Sequence, residues 1–335
     1  MASKYIVGKL TTLLGSERMV EEYLRRYGEI VNEHYIEQIK SSFEEKKTKG
    51  IKAVAGQTGD DPVFEVLVQC PACNREDVVS YQLRSKSQTI KETLFLVPQY
   101  SGFGRYFPVD YNLLQTTVCP ECLFASPDPK DWSSKSKFTG KVAESQLSDL
   151  TKLMAEIRNQ ELDRKSKFPA IKGDLSYFSR PRSYEKAIES IKLSMMRAEL
   201  EARYHVLAVD YKFGAYYLKI ADIEKKQNKE YKPTLKRAEE YFTASAIKSD
   251  VPSVSLEMMS IYQVVALNLY LGNKTKAAEF FKITKNSLRQ RELALKEDST
   301  MENRAALSDV KKWDTKITHL WEYRDDEDFW KHALD

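Results

Sequence analysis

All four cysteines of the 335-residue chain lie in two short units of the form Cys-Pro-x-Cys. Cys70 and Cys73 form the first unit, and Cys119 and Cys122 form the second after 45 intervening residues. Two thiolates at this spacing can bind one metal ion from a tight turn, and two such pairs complete a tetrahedral shell of sulfurs. The proline in each unit fixes one φ angle and favours that turn. We therefore predict that these four cysteines bind one structural Zn2+ ion.

The same spacing permits a second interpretation, a reactive dithiol. Cys-x-x-Cys pairs carry out thiol–disulfide chemistry where the pKa of a thiol is low. A thiol-based redox sensor or oxidoreductase, in which oxidation expels zinc, is therefore an alternative function. Four unrelated buried cysteines are disfavoured, because every cysteine of the chain falls in a Cys-Pro-x-Cys unit.

Segments rich in strand-forming residues surround the cysteine units. Val63–Gln69 runs into the first unit and Leu113–Val118 into the second, while Val78–Leu83 and Glu92–Val97 have a similar composition. A sheet this small has a thin core, so a metal would hold it together as in a zinc ribbon. We place a four-cysteine, zinc-ribbon-like domain at residues 51–135.

The turn that follows each cysteine unit often needs one residue in the left-handed conformation. Asn74, after the first unit, tolerates that conformation, whereas Leu123, after the second, does so less readily. We expect the second turn either to differ slightly from the first or to be strained.

The remaining sequence has mainly helical periodicity. Residues 1–50 form a predicted N-terminal helical arm, with one amphipathic helix over Glu17–Lys46. Its apolar stripe would pack within the chain or, alternatively, form a homo-oligomer by packing on a second copy. Residues 136–180 are predicted to hold a helix, from about Val142 to Lys165, and a basic linker.

Residues 181–335 show an irregular repeat of helix pairs. Ala187, Ala238 and Ala277 each begin an Ala-x-x-x-[Phe/Ile] element, in which a small side chain lets two helices approach closely. Gly272 would make the tight turn within one pair. The spacings of 51 and 39 residues exceed those of an ideal tetratricopeptide repeat. We predict a tetratricopeptide-like array, with a plain helix bundle as the alternative; the fold class is α+β, predominantly α.

Charge and hydropathy limit the choice of partners and compartment. The chain has 53 basic and 49 acidic residues, a balance that is weak support for a polyanionic partner. No apolar run approaches the roughly 20 residues that span a bilayer. No signal peptide is recognisable, so cysteines spaced for a metal favour a reducing cytoplasm.

Nucleic-acid binding is a third hypothesis, resting on the aromatic run Tyr100–Phe107. Aromatic residues separated by glycine and arginine resemble the stacking segment of an RNA-recognition sheet. The match is poor, because Ser101 replaces a basic residue and Arg105 stands where an apolar residue is expected. An aromatic loop packed on the ribbon is the favoured interpretation.

Recognisable catalytic motifs are missing from the sequence. It contains no glycine-rich phosphate loop, no His-Glu-x-x-His and no Gly-x-Ser-x-Gly, and its acidic residues alternate with lysines on helix faces. We therefore expect a non-enzymatic, zinc-binding interaction or scaffold protein. The concave face of its helical array would bind a protein or peptide partner.

Several of these motifs together resemble one bacterial family. Cys-Pro-Ala-Cys at residues 70–73, Leu83–Lys86, Pro108–Tyr111 and Val118–Ala125 are similar to the domain-of-unknown-function family 2225, over roughly residues 60–290. The resemblance implies a four-cysteine, ribbon-like N-terminal part, a bound metal and a tetratricopeptide-like C-terminal part. It implies no activity. Leu123 departs from the family, in which glycine usually follows the second cysteine unit.

Overall fold

The computed structural model describes most of the chain beyond residue 58. The described residues are 59–132, 144–171, 174–204, 206–248, 251, 253–297 and 301–335. The helix predicted over Glu17–Lys46 lies outside them.

The chain divides into two compact units. The first consists of Met1–Asp61 with Arg105–Phe107, and the second of all other residues. In the described part of the first unit, Asp60 forms a parallel bridge with Tyr106. The Arg105 guanidinium lies 2.7 Å from the Asp60 carboxylate. All the secondary-structure elements named below belong to the second unit.

The described strands form three antiparallel pairs. They are β1 (Val63–Val68) with β2 (Val78–Leu83), β3 (Gln88–Glu92) with β4 (Pro98–Gly102), and β5 (Thr117–Val118) with β6 (Ala125–Ser126). The first cysteine unit lies in the turn between β1 and β2, and the second lies in the turn between β5 and β6. Each cysteine unit therefore follows a strand, as the sequence predicts.

The predicted bounds of two strands are wrong. Residues 92–97 form mainly the turn between β3 and β4, because the Thr93 hydroxyl accepts hydrogen bonds from the N–H groups of Phe95 and Val97. The strand predicted over residues 113–118 is reduced to β5. A short 3₁₀ turn begins at Tyr111, where the Asp110 carboxylate accepts a hydrogen bond from the backbone.

Nine α-helices make up most of the described chain. They are α1 (Glu144–Asn159), α2 (Glu161–Lys167), α3 (Tyr184–Arg203), α4 (Val209–Lys226), α5 (Lys232–Lys248), α6 (Val254–Tyr270), α7 (Lys274–Glu297), α8 (Met301–Glu322) and α9 (Glu327–Lys331). The fold is thus α+β and predominantly α, as predicted. None of these helices combines the length and the apolar character that a bilayer crossing needs.

Local sequence signals fix several helix ends. The hydroxyls of Ser183 and Ser253 cap α3 and α6, and the Asp326 carboxylate caps α9. The helix predicted from about Val142 is interrupted at Gln160, which leaves the helical conformation and separates α1 from α2.

Successive helices from α3 to α8 pack on one another, and their short connections make them antiparallel neighbours. Gly272, with a φ of 83°, makes the turn between α6 and α7, and Ala187, Ala238 and Ala277 are all buried. At Gly214 in α4 an added Cβ would lie 2.8 Å from the Phe242 ring of α5. Small residues therefore set the distance between helices, as the sequence indicates.

The tip of the β3–β4 hairpin inserts into the largest helical core. The Phe95 side chain is fully buried there among residues of α4 to α9. The Tyr262 hydroxyl donates to the Leu94 carbonyl at 2.9 Å, and the Gln263 amide donates to the Phe95 carbonyl at 2.6 Å. The Leu94 N–H donates to the Ala333 carbonyl near the end of the chain. The hairpin and the helices consequently share one core.

The C-terminal segment packs on the same core. Trp330, Ala333 and Leu334 are buried, and the Trp330 indole N–H donates to the Tyr323 carbonyl at 2.9 Å. This segment therefore caps its own helical array.

Replacing the inserted aromatic ring should destabilise the whole second unit. We expect Phe95→Ala to lower the free energy of unfolding by about 3–5 kcal/mol, since it leaves a cavity in the core that the β3–β4 hairpin shares with the helices. Denaturant unfolding monitored by circular dichroism measures the change. The matched control is Phe103→Ala, because the Phe103 side chain is 56% exposed. Equal losses for the two variants would contradict the shared core.

Candidate metal centre

The two cysteine units fold into turns of the same geometry. In the first, the Asn74 N–H donates to the Cys70 carbonyl at 2.9 Å, and the Cys70 N–H donates to the Arg75 carbonyl at 2.7 Å. The second repeats both hydrogen bonds, at 3.0 and 2.8 Å. Each turn contains one left-handed residue, with φ of 62° at Asn74 and 58° at Leu123. The second turn therefore has the same geometry as the first, and the backbone of Leu123 is strained in it.

Burial offsets the strain at Leu123. A left-handed non-glycine residue costs about 1–2 kcal/mol. The Leu123 side chain is buried in a cluster with Val118, Ile171, Phe178 and Leu193, and burying a leucine contributes about 1.5–3 kcal/mol. A glycine at this position would relieve the strain but would lose these contacts.

The fold brings all four predicted ligands together. Their sulfur atoms lie within 4.8 Å of one another, and the distances from Cys70 to Cys122 and from Cys73 to Cys119 are both 3.6 Å. A tetrahedral zinc ion with Zn–S bonds of about 2.3 Å separates its sulfurs by about 3.8 Å. The two observed sulfur–sulfur distances of 3.6 Å are too long for disulfide bonds, so the thiols are free. The cluster fits a four-sulfur metal site.

Hydrogen bonds within the cluster shift the pKa values of the thiols in opposite directions. Bonds from Cys122 and Cys70 lower the pKa of the Cys119 thiol to about 2, and the backbone N–H groups of Glu121 and Cys122 also donate to its sulfur. The bond to Cys119 raises the pKa of Cys70 to about 12 and also raises that of Cys122. Burial raises the pKa of Cys73. A divalent cation would favour all four thiolates, because a coordinating thiol is deprotonated outright.

Two arginines of the helical part bind the backbone of the two turns, one arginine to each. Arg158 of α1 donates from Nε to the Ala72 carbonyl at 2.8 Å, and Arg164 of α2 donates from Nε to the Cys122 carbonyl at 2.9 Å. Arg164 is buried, and its Nη2 atom has no hydrogen-bond partner. A Zn2+ ion with four thiolates carries a net charge of −2, so both guanidinium groups would stabilise it. Sequence reasoning missed these residues, which look like ordinary basic residues of the helix predicted from about Val142 to Lys165.

Helices also cover the sulfur cluster. Cys70, Cys119 and Cys122 are buried in one core with Leu153 of α1 and Leu200 of α3, whereas Cys73 is only half-buried. The cysteine cluster is therefore part of the packing that joins strands to helices.

A buried ion-pair network supports the second turn. The Arg197 guanidinium of α3 lies 2.6 Å from the Asp131 carboxylate and 2.5 Å from that of Glu201. Glu201 also pairs with Lys212 of α4 at 2.7 Å. The Phe124 ring packs beneath the Arg197 guanidinium, 5.1 Å from it. Two cations and two anions balance here, which permits their burial beside the cysteine cluster.

The aromatic run proposed for RNA stacking is divided between different environments. The Tyr100 ring packs edge-on against Tyr111 with centroids 5.7 Å apart, and Phe107 is buried, whereas Phe103 is exposed. A stacking surface needs several exposed rings in a row. Tyr100–Gly102 form part of β4, so the run is not one loop, and its described rings do not form such a row.

The fold and site define an α+β, predominantly helical protein with a four-cysteine cluster that could hold a metal ion. A family model described as an uncharacterized protein conserved in bacteria (DUF2225) matches residues 63–305. The chain belongs to this family, as its motifs indicate. No curated protein and no solved structure matches the chain.

Removing one sulfur should abolish stoichiometric metal binding. We expect the chain to be purified with one zinc ion, and Cys122→Ser to lose it, because the three remaining thiolates leave the tetrahedral shell incomplete. Elemental analysis of the purified proteins measures the zinc content. Asn74→Gly is the matched control in the same type of turn, since glycine accepts a positive φ and leaves all four sulfurs in place. Full zinc occupancy in Cys122→Ser would contradict the assignment.

The buried arginine should slow metal loss. We expect Arg164→Met to accelerate zinc transfer to a chromogenic chelator by about 10- to 100-fold, because the charge beside the centre and the hydrogen bond to the Cys122 carbonyl are both lost. Arg237→Met is the control, since the Arg237 side chain is 65% exposed on α5. Identical transfer rates in the two variants would show that Arg164 does not support the centre.

Proposed function

We propose that this protein is a non-enzymatic, zinc-binding interaction or scaffold protein. The observation that carries the proposal is the closed set of four sulfurs, three of them buried in a core with α1 and α3. Four thiolates would fill every position of a tetrahedral zinc ion and leave none for water or substrate. The zinc would therefore be structural.

In this proposal the zinc ion joins the ribbon-like residues 51–135 to the helices. The strands β5 and β6 contain two residues each, too few to hold a turn in place by themselves. A metal bound by both turns would fix them. Because Arg158 and Arg164 bind those turns, it would also fix α1 and α2.

The partner would bind the helical residues 181–335. The tip of the β3–β4 hairpin already covers part of α6, through the hydrogen bonds that Tyr262 and Gln263 donate to it. The partner surface must therefore lie on another face of the array.

A cleft between α3, α4 and α5 is the surface we propose. Its volume is about 690 Å³. Apolar residues that include Val206, Leu207 and Phe213 line it together with charged residues of both signs. Leu207 is 55% exposed, and Ile247, next to the lining residue Lys248, is also exposed. Clefts of this size accept a few side chains. A protein or peptide with apolar anchors would suit it, because exposed apolar groups gain most from removal of water.

A reducing cytoplasm is the compartment we propose, because free thiols persist there. Self-association through the N-terminal helix remains a prediction, since that segment lies outside the described residues.

Site-specific photo-crosslinking in living bacterial cells tests the partner surface. We expect a photoreactive amino acid at Leu207 to give a discrete crosslinked adduct with a protein, because this position lines the cleft. Leu162 on α2 is the matched control, an exposed leucine outside the cleft. The absence of an adduct at Leu207, or the same adducts at both positions, would contradict binding at this cleft.

A further inference from the structure

The two cysteine turns have equal geometry but unequal access to solvent. Cys73 and Cys122 occupy equivalent places, each as the second cysteine of its unit, yet Cys122 is buried and Cys73 is only half-buried. The following residue accounts for much of the difference: Leu123 is buried in a hydrophobic cluster, whereas Asn74 is exposed. A small solute therefore reaches the centre at Cys73 first.

Two close sulfur pairs of the cluster join one turn to the other. Cys73 lies 3.6 Å from Cys119, and Cys70 lies 3.6 Å from Cys122. A thiolate oxidised at Cys73 thus has a second sulfur next to it on the other turn. Solvent access together with an adjacent resolving thiol is the arrangement that makes a cysteine sensitive to oxidants.

We propose that Cys73 is the site at which a hydroperoxide oxidises this centre, and that Cys119 resolves the product as a disulfide between the two turns. The proposal rests on the structural zinc of the proposed function. The Cys73 sulfur attacks one peroxide oxygen; the O–O bond breaks, and the sulfur becomes a sulfenic acid. The Cys119 sulfur then attacks the Cys73 sulfur, the S–S bond forms, and hydroxide leaves.

The two thiolates supply the two electrons that reduce the peroxide. With hydrogen peroxide, two protons complete two water molecules. The disulfide removes two of the four metal ligands, so the same step releases zinc. Oxidation would thereby loosen the junction between the turns and the helices α1 and α2.

Chemical mapping on the full-length, zinc-loaded chain tests the order of events. Hydrogen peroxide is added with a 1,3-dicarbonyl reagent that traps sulfenic acids, and mass spectrometry locates the label over time. We expect the label first at Cys73 and, without the reagent, a disulfide between Cys73 and Cys119. Earlier label at another cysteine, or a first disulfide between Cys70 and Cys73, would overturn the proposal.

Histidine variants test the same claim through zinc release. Cys73→His and Cys122→His each leave a three-cysteine, one-histidine shell of a kind that binds zinc. We expect Cys73→His to slow peroxide-driven zinc release by about tenfold relative to Cys122→His, because it removes the accessible sulfur. Equal rates would count against Cys73. If either variant binds no zinc, the mapping on the unsubstituted chain decides.

The two proposals fail in different ways. A purified chain that binds no zinc refutes the structural metal. A chain that holds zinc but resists peroxide refutes only the reactivity of Cys73.

Discussion

The junction between the cysteine turns and the helices is the constraint on which the rest of the described structure depends. Neither β5 nor β6 is long enough to define a turn by strand pairing alone. The four sulfur atoms, however, lie within 4.8 Å of one another, so the two turns meet there. A metal ion bound by all four would hold the turns in this arrangement. The arginines of α1 and α2 and the apolar core around the sulfurs extend the constraint to the helical part.

Local chemistry explains what could be predicted from the sequence. Paired cysteines can reach one ion only if their turns meet, so the spacing predicts the cluster before any fold is known. Gly272 and the three repeat alanines likewise act on their immediate neighbours, and the structure places Gly272 at a turn and the alanines in buried positions.

Long-range packing explains what could not be predicted. Residues 92–97 have the composition of a strand, but they form a turn because Phe95 is buried by helices more than 120 residues further along the chain. Arg158 and Arg164 resemble ordinary basic residues of a helix until the fold places them on the cysteine turns. Leu123 departs from the expected turn residue, and only its buried neighbours show how its strain is offset. Each of these residues is determined by partners that are distant in sequence.

Hydrogen exchange with and without zinc tests the structural role of the centre most directly. The zinc-loaded chain and the same chain treated with a chelator are compared by mass spectrometry of their peptides. We expect faster exchange in both cysteine turns and in α1 and α2 after zinc removal, while α5 to α7 keep most of their protection. Unchanged exchange at the turns and at α1 and α2 would contradict a structural role for the zinc ion.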